Sequence, residues 1–488
     1  MAVHTANQPP PLRDYNVVAG NAPLLEGLRR EGAASAEDEL LAFGAELGGE
    51  PLEWGRLANE HPPVLSGHDH VEFHPAWHSL LALGIREGLQ RPGSNVARAA
   101  KFMALTQVEA GVGCPLSMTH AAVPALRVQP ALAAEWEPRI AAGEALIGMA
   151  MTERQGGSDV RANETQARPA GDGEVTLHGH KWFCSAPMSD AFLILAQAPG
   201  GLSCYFVARR DNGFVIERLK DKLGNRSNAS SEIRLDGARG ALVGEEGRGV
   251  AAIIEMVVHT RLDCVVGSAA LMREAVAHAT HHCAHRVAFG RLLAEQPLMQ
   301  NVLADLCVES EAATISALRL ARAFDERDDF RRIATAVLKY WVCKRTPAVV
   351  GEALECLGGN GYVERDSVLP RLYRESPLNA IWEGSSNVQC LDVLRALRSS
   401  PAGAEGFLAE LEDGDASRVE RALADADEVV ARRLVETMAV ALQATLLDRH
   451  GDPAVAEAFR ARGSFGALGT LPAGVPLAAI VERHLPVS

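Results

Sequence analysis

The chain has 488 residues, with 48 Lys and Arg against 62 Asp and Glu, a net charge of −14, and 47% hydrophobic residues. That length exceeds one compact core and fits two to four domains of a globular protein. The acidic excess opposes general affinity for nucleic acid or anionic membranes, while a local basic pocket for a phosphorylated small molecule is compatible with it.

No apolar run approaches the roughly 18 residues of a membrane helix. The N-terminal MAVHTANQPPPLRDYN lacks a basic-then-apolar pattern, so no secretory signal is expected. The nine Cys form no C-x-x-C pair and read as free thiols of a reducing compartment, which points to the cytoplasm.

In chain order, residues 1 to about 25 are Pro- and Asn-rich and read as an extended arm. LLEGLRREGAASAEDELLAFGAEL, FHPAWHSLLALGIREGL, NVARAAKFMALTQVEAGV and PALAAEWEPRIAAGE repeat apolar residues at helical steps, giving a helical domain over 1–150. From 151 to 249, short alternating segments (NETQARPA, EVTLHGHKWFCSA, AFLILAQA, LSCYFVARR, FVIERL, SSEIRLDG) predict an antiparallel, barrel-like β domain. Three long helical blocks over 250–398 predict an antiparallel bundle. SSPAGAEG, 399–406, reads as a linker into a helical tail that ends at 488. The longest tail helix is expected over SRVERALADADEVVARRLVETMAVALQATLLDRH. The fold class is therefore mainly α with a central β domain.

Several stretches have residue types suited to chemistry. In MTERQGGSDV (151–160) adjacent glycines let successive N–H groups face an anion, and Thr152 and Ser158 add hydroxyls; an ordinary helix-to-strand turn has the same composition. In GHKWFCSAP (179–187), Trp182 and Phe183 offer a flat wall and Ser185 a donor for a ring nitrogen, or simply a strand packed on its partner. In HRVAFGRLLAEQ (285–296), Arg286 and Arg291 bracket Phe289-Gly290, which suits a phosphate with an attached ring as well as a solvated helix end. His278, His281, His282 and His285 share one helical face. Four histidines on one straight helix cannot converge on one ion, and no metal site is expected. Gly358, Gly359 and Gly361 in ECLGGNGYVERDSVLPRLYRE break a helix shortly before NAIWEGSSNVQ (379–389), where Glu383 reads by itself as a solvated loop acid.

Taken together, T-E-R-Q-G-G-S-D, GHKWFCS, RVAFG, LGGNG and IWEGS occur in the order of the acyl-CoA dehydrogenase family's motifs, and the chain resembles that family. RLANEHPP, VEFHPAWH, RLKDKLGNRSNAS, TRLDCVVGSAALMREA and PRLYRESP are similar to its AidB-like, adaptive-response branch. The resemblance covers residues from about 10 to 398 and continues more weakly into the tail. It implies an acyl-CoA dehydrogenase-like fold, with a helical domain, a β domain, a four-helix bundle and an added tail domain.

The same resemblance implies FAD as cofactor. Met151, Thr152, Gly157 and Ser158 would form the flavin loop, with Ser158 on the pyrophosphate and Thr152 on the ring system. Phe183 stands at the family's Trp position and Ser185 at its flavin-facing threonine. Arg286, Phe289 and Gln296 would reach FAD across a subunit interface of a homo-oligomer, a tetramer in this family. Gly359, Ser385 and Asn387 would line the adenosine-diphosphate part, and Arg261 would lie near substrate and CoA. Glu383 would be the catalytic base for an acyl-CoA or acyl-carrier thioester, short, branched or otherwise unusual. The isovaleryl-type alternative position is Thr260.

Some positions depart from the family pattern. Glu355 replaces its Gln before L-G-G, Ala288 replaces a threonine, and Trp182 precedes the usual Trp position, which leaves electron-transfer flavoprotein or oxygen as electron acceptor. The last lysine is Lys344, and Arg432, Arg433, Arg460 and Arg462 in the tail are outnumbered by acids, so DNA binding is expected to be weak or absent. Besides the dehydrogenase, two other functions are compatible with these motifs: a DNA-associated alkylation-response flavoprotein with weak turnover, and a flavin oxidase or monooxygenase on the same fold.

Overall fold

In the computed structural model the described residues are 7–67, 69–171, 174–210, 212–463 and 465–487. Residues 1–6 of the expected N-terminal arm lie outside them. The chain folds into two compact units, one of Glu53–Gly93 and Glu109–Asp263, the other of Met1–Leu52, Ser94–Val108 and Cys264–Ser488.

The first unit is built on a seven-stranded sheet: β1 (Ile147–Ala150), β2 (Gln166–Gly171), β3 (Glu174–Ser185), β4 (Ala191–Ala198), β5 (Gly201–Ala208), β6 (Phe214–Leu219) and β7 (Ser230–Val243). The order is β1-β4-β2-β3-β7-β5, with β6 on β7, and a further β4–β5 pairing closes the path on itself. Closure accounts for AFLILAQA in β4, a nearly continuous apolar run whose residues are buried through Ala196. Phe192, Ile194, Tyr205, Ile216 and Ile233 meet in the core of this sheet. The expected antiparallel pairing holds for most neighbours, but β1 and β2 both run parallel to β4.

The second unit is helical. Its elements include α1 (Ala22–Arg30), α2 (Asn95–Val108), the part from Cys264 of α3 (Gly249–His285), α4 (Pro297–Glu326), α5 (Arg331–Cys356), α6 (Ser386–Ser399), α7 (Ala431–His450) and α8 (Leu477–Glu482). α4 packs against α1, α2, α5, α7 and α8, while α5 also packs against α6 and α7. Residues of α4 from Leu303 to Leu318 are buried all round, as a helix enclosed by others must be.

Two expectations for the tail fail. SSPAGAEG is not a linker: Pro401–Ala409 is a helix with Pro401 in its first turn, and the Ser400 hydroxyl accepts the Gly403 N–H. It is held by Phe407, which stacks on Phe330. The long amphipathic stretch is also two helices, Asp413–Ala424 and α7, broken where Asp427 takes the N–H groups of Val429 and Val430.

The tail supplies charges that α4 requires. Asp305, Glu309 and Glu311 are buried on α4. Arg462 pairs with Asp305 and Glu309, Arg345 with Glu309 at 2.8 Å, and Arg483 and His484 with Glu311 at 3.0 and 3.3 Å. Without those cations the carboxylates would be buried charges with no counter-ion. The far end of the chain is fastened too. Arg273 is fully buried and donates to the carbonyls of Gly20 (2.7 Å) and His484 (2.8 Å), and Asn16 pairs with Val487.

Burial by itself would lower the His484 pKa, but Cys307 and the Glu311 carboxylate raise it to about 9. The folded state thus holds a proton that the unfolded chain releases near its ordinary value of about 6.5. This stabilisation is complete below about pH 6.5 and declines as pH rises toward 9, by an amount on the order of 3 kcal/mol. Thermal melts across this window should show the decline, and His484→Gln should flatten it.

Candidate functional site

The glycine-rich loop leaves β1 and is fastened to β3. The Trp182 N–H donates to the Thr152 carbonyl at 2.8 Å, and the Asn163 amide donates to the Met151 carbonyl at 2.9 Å. Glu153 is the anchor. Its carboxylate is fully buried, accepts the Glu164 N–H, and meets Lys181 Nζ at 2.6 Å. Lys181, also fully buried, donates to the Leu195 carbonyl at 2.7 Å. Burial pulls the Lys181 pKa down to about 8 against the opposing Glu153 charge. Burial would raise the Glu153 pKa, but Lys181 and the surrounding donors hold it below its ordinary value.

The loop that this pair holds is shaped for an anion. Gly156 has φ +147°, and a Cβ on Gly157 would lie 2.8 Å from the Thr152 hydroxyl, so neither position accepts a side chain easily. The N–H groups of Gly157 and Ser158 donate to nothing among the described residues. Both residues are exposed. Adjacent unengaged N–H groups in a glycine turn suit a phosphate, so the loop fits the pyrophosphate of FAD.

Trp182 and Phe183 lie in a β-bulge. β3 pairs Lys181 with Ile233 and Cys184 with Ser231, so three steps on β3 face two on β7. Lys181 and Cys184 both turn inward, and the two aromatics between them face outward. Strict alternation would have buried one of them. Trp182 is half-buried with Lys220 Nζ 3.7 Å from its ring centre, and Phe183 is 52% exposed. Ser185, half-buried, ends β3 opposite Ser230. Arg261 is buried on α3, and the neighbouring Thr260 hydroxyl donates to the Val257 carbonyl at 3.0 Å.

The remaining candidates belong to the helical unit. Arg286, Phe289 and Gln296 share one compact corner after α3. The Leu293 N–H donates to the Arg286 carbonyl at 2.8 Å and the Gln296 amide to the Ala288 carbonyl at 3.1 Å. Phe289 (φ +52°) and Gly290 (φ +78°) turn a short hairpin, and Phe289 is 99% exposed at its tip. Three of the nearby histidines have local contacts of their own: His278 with Glu274 at 3.0 Å, His281 with the Pro10 carbonyl at 2.9 Å and His285 with the His281 carbonyl at 2.8 Å. No group of three or more His, Cys, Asp or Glu among the described residues could hold a metal ion.

Gly359 lies in the 3-10 turn Gly358–Tyr362, and a Cβ there would meet no atom within 4 Å. Ser385 occupies the N-cap of α6 but its side chain caps nothing. Asn387, in the first turn, accepts from Arg432 of α7 at 2.8 Å. An uncapped helix start and a glycine beside open space suit a close-lying anionic ligand.

Glu383 precedes that helix with φ +58°. A residue other than glycine in this region costs roughly 1–3 kcal/mol and persists only where its surroundings impose it. Here they do. Lys339 Nζ, from α5, donates to the carbonyls of Trp382 (2.7 Å) and Gly384 (2.5 Å). The Gln389 amide donates to those of Glu383 (3.1 Å) and Gly384 (2.9 Å). The Trp382 indole is fastened to Asn379, which donates to Ser268 on α3.

Lys339, Gln389, Lys181 and Glu153 were not among the sequence candidates. The available signal was a single lysine inside an apolar helical run (Lys339 in IATAVLKYWVC) or in an inward strand position (Lys181). Lys181→Met should leave Glu153 buried without its partner and lower stability by roughly 3–5 kcal/mol, most of it regained in the Glu153→Gln, Lys181→Met double variant; urea unfolding measures both.

Residues 7–144 match the adaptive response protein AidB N-terminal domain, 148–238 the acyl-CoA dehydrogenase middle domain, and 247–398 the acyl-CoA dehydrogenase C-terminal domain. The Escherichia coli putative acyl-CoA dehydrogenase AidB is 46% identical over 83% of this chain and 82% of its own length. Acyl-CoA dehydrogenase family member 11 of Caenorhabditis elegans is 32% identical over 73% of this chain and 66% of its own. The crystal structure of Caenorhabditis elegans ACDH-11 in complex with C11-CoA superimposes with a TM-score of 0.86 at 26% identity, covering 99% of this chain and 93% of that one. The chain belongs to the acyl-CoA dehydrogenase family, in its AidB-like branch.

Proposed function

We propose that this protein is an FAD-dependent acyl-CoA dehydrogenase that removes an α-proton and a β-hydride from an acyl thioester, with Glu383 as base. The family's members are FAD flavoproteins. The observation that carries the reading is the pinned turn of Glu383, which holds the one acid of NAIWEGSSN in a left-handed conformation at the start of α6. The alternative family position, Thr260, is a hydroxyl engaged within its own helix.

In the proposed reaction, FAD held by the residues assigned to it would supply the acceptor for the β-hydride. The Glu383 carboxylate takes the α-proton, and its backbone N–H polarises the thioester carbonyl where negative charge develops. Met151, Thr152, Gly157 and Ser158 hold the pyrophosphate and ring system, with Phe183 and Ser185 along the flavin. Gly359, Ser385 and Asn387 hold the adenosine diphosphate. Arg261 is assigned to the substrate and CoA. The fully exposed Phe289 supports completion of the site by another copy, so that Arg286, Phe289 and Gln296 reach FAD across the interface of a homo-oligomer. Electron-transfer flavoprotein and oxygen are the candidate acceptors.

Anaerobic titration with a panel of acyl-CoAs, from short and branched chains to C11-CoA, should bleach the flavin with at least one member. Glu383→Gln should abolish bleaching while retaining FAD. Unchanged bleaching in that variant would remove Glu383 from the mechanism.

The alternative of a DNA-associated flavoprotein finds little support in the tail. Arg449 pairs with Glu412, Arg460 with Asp415 and Asp448, Arg462 with Asp305 and Glu309, and Arg483 with Glu26 and Glu311. Phosphate binding would require breaking such pairs. Mobility-shift assays over a salt series are expected to show no salt-sensitive complex at physiological ionic strength.

A further inference from the structure

We propose that Lys339 and Gln389 are positioning residues for the reaction: together they set the peptide orientation that presents Glu383 and its backbone N–H to the substrate. The proposal rests on reading Glu383 as the base. Three successive carbonyls, of Trp382, Glu383 and Gly384, are captured by these two side chains. Both are buried, Lys339 at 1% and Gln389 at 0% exposure, so water does not substitute for them.

Peptide geometry gives the capture its consequence. No cis peptide bond occurs among the described residues, and in a trans peptide the C=O and N–H point in opposite directions. Turning the Trp382 carbonyl onto Lys339 therefore turns the Glu383 N–H away from α5. Turning the Glu383 carbonyl onto Gln389 likewise fixes the other side of the same residue. If the Trp382–Glu383 peptide rotated, a carbonyl oxygen would take the place of the N–H, and would repel the negative charge that develops on the thioester oxygen as the α-proton leaves. Lys339 keeps that rotation from occurring, and so acts through Glu383 without touching substrate. The positive φ at Glu383 is the backbone's record of the same constraint.

The test is anaerobic stopped-flow bleaching of the FAD-loaded full chain by the acyl-CoA that bleaches the wild type best. Measured beside it are FAD affinity by fluorescence, acyl-CoA affinity from the concentration dependence, and the melting curve. Lys339→Met should slow bleaching at saturating acyl-CoA about 100-fold, the scale of losing an oriented oxyanion donor. The two affinities should change less than about threefold, a split that general destabilisation does not produce. Bleaching at the wild-type rate, or a loss that follows FAD release alone, overturns the proposal. Should Lys339→Met not fold, Gln389→Met removes the other donor, with the same expectation and the same reversal. Glu383→Gln separates the two levels. If it bleaches normally, the base assignment and this proposal fall together. If it is inactive while Lys339→Met is unimpaired, the base assignment stands and the positioning role falls.

Discussion

A charge taken out of water has to be met by an opposite charge or by several hydrogen bonds, and this constraint organises both units of the protein. Lys181, fully buried in the sheet, is met by Glu153 and the Leu195 carbonyl. The result is that a loop which would otherwise be a surface turn is tied to the strand behind it. Lys339, buried in the helical unit, is met by two main-chain carbonyls and imposes a left-handed residue between them. In both cases a buried lysine distant in sequence determines the shape of the segment it holds.

The same constraint explains why the C-terminal tail is not an appendage within its unit. α4 is enclosed on all sides yet has three buried acids toward the middle of its length, and most of the cations that answer them come from beyond residue 460. α4 and the tail therefore complete one another. Of the tail arginines that composition alone offered as possible nucleic-acid ligands, Arg462 is occupied by this task and Arg460 by pairs inside the tail, while Arg432 donates to Asn387 of α6.

Much of the fold was legible from residue pattern. The long helical blocks, the change of texture near residue 151 and the strand segments have strong local periodicity, and local periodicity is what sequence displays. The failures occurred where local and distant terms compete. SSPAGAEG has the composition of a linker, but Ser400 and Pro401 form a helix start and Phe407 finds Phe330. The DADEVV break in the tail helix depends on one aspartate taking two N–H groups. Alternation along β3 would place Trp182 and Phe183 on opposite faces, and only the mismatch with β7 turns both outward.

For the site, the sequence by itself determined the family and the order of the chemical groups, because motif residues such as those of TERQGGSD and IWEGS are contiguous and their identity is local information. It did not reveal what holds those residues in place. Glu153 reads as one acid in a loop and Glu383 as another until Lys181 and Lys339 are brought to them from 28 and 44 positions away. Only the tertiary structure decided that one acid is a buried anchor and the other sits in a pinned turn. The physical reason is that burial, and hence the need for a partner, is a property of the packed chain.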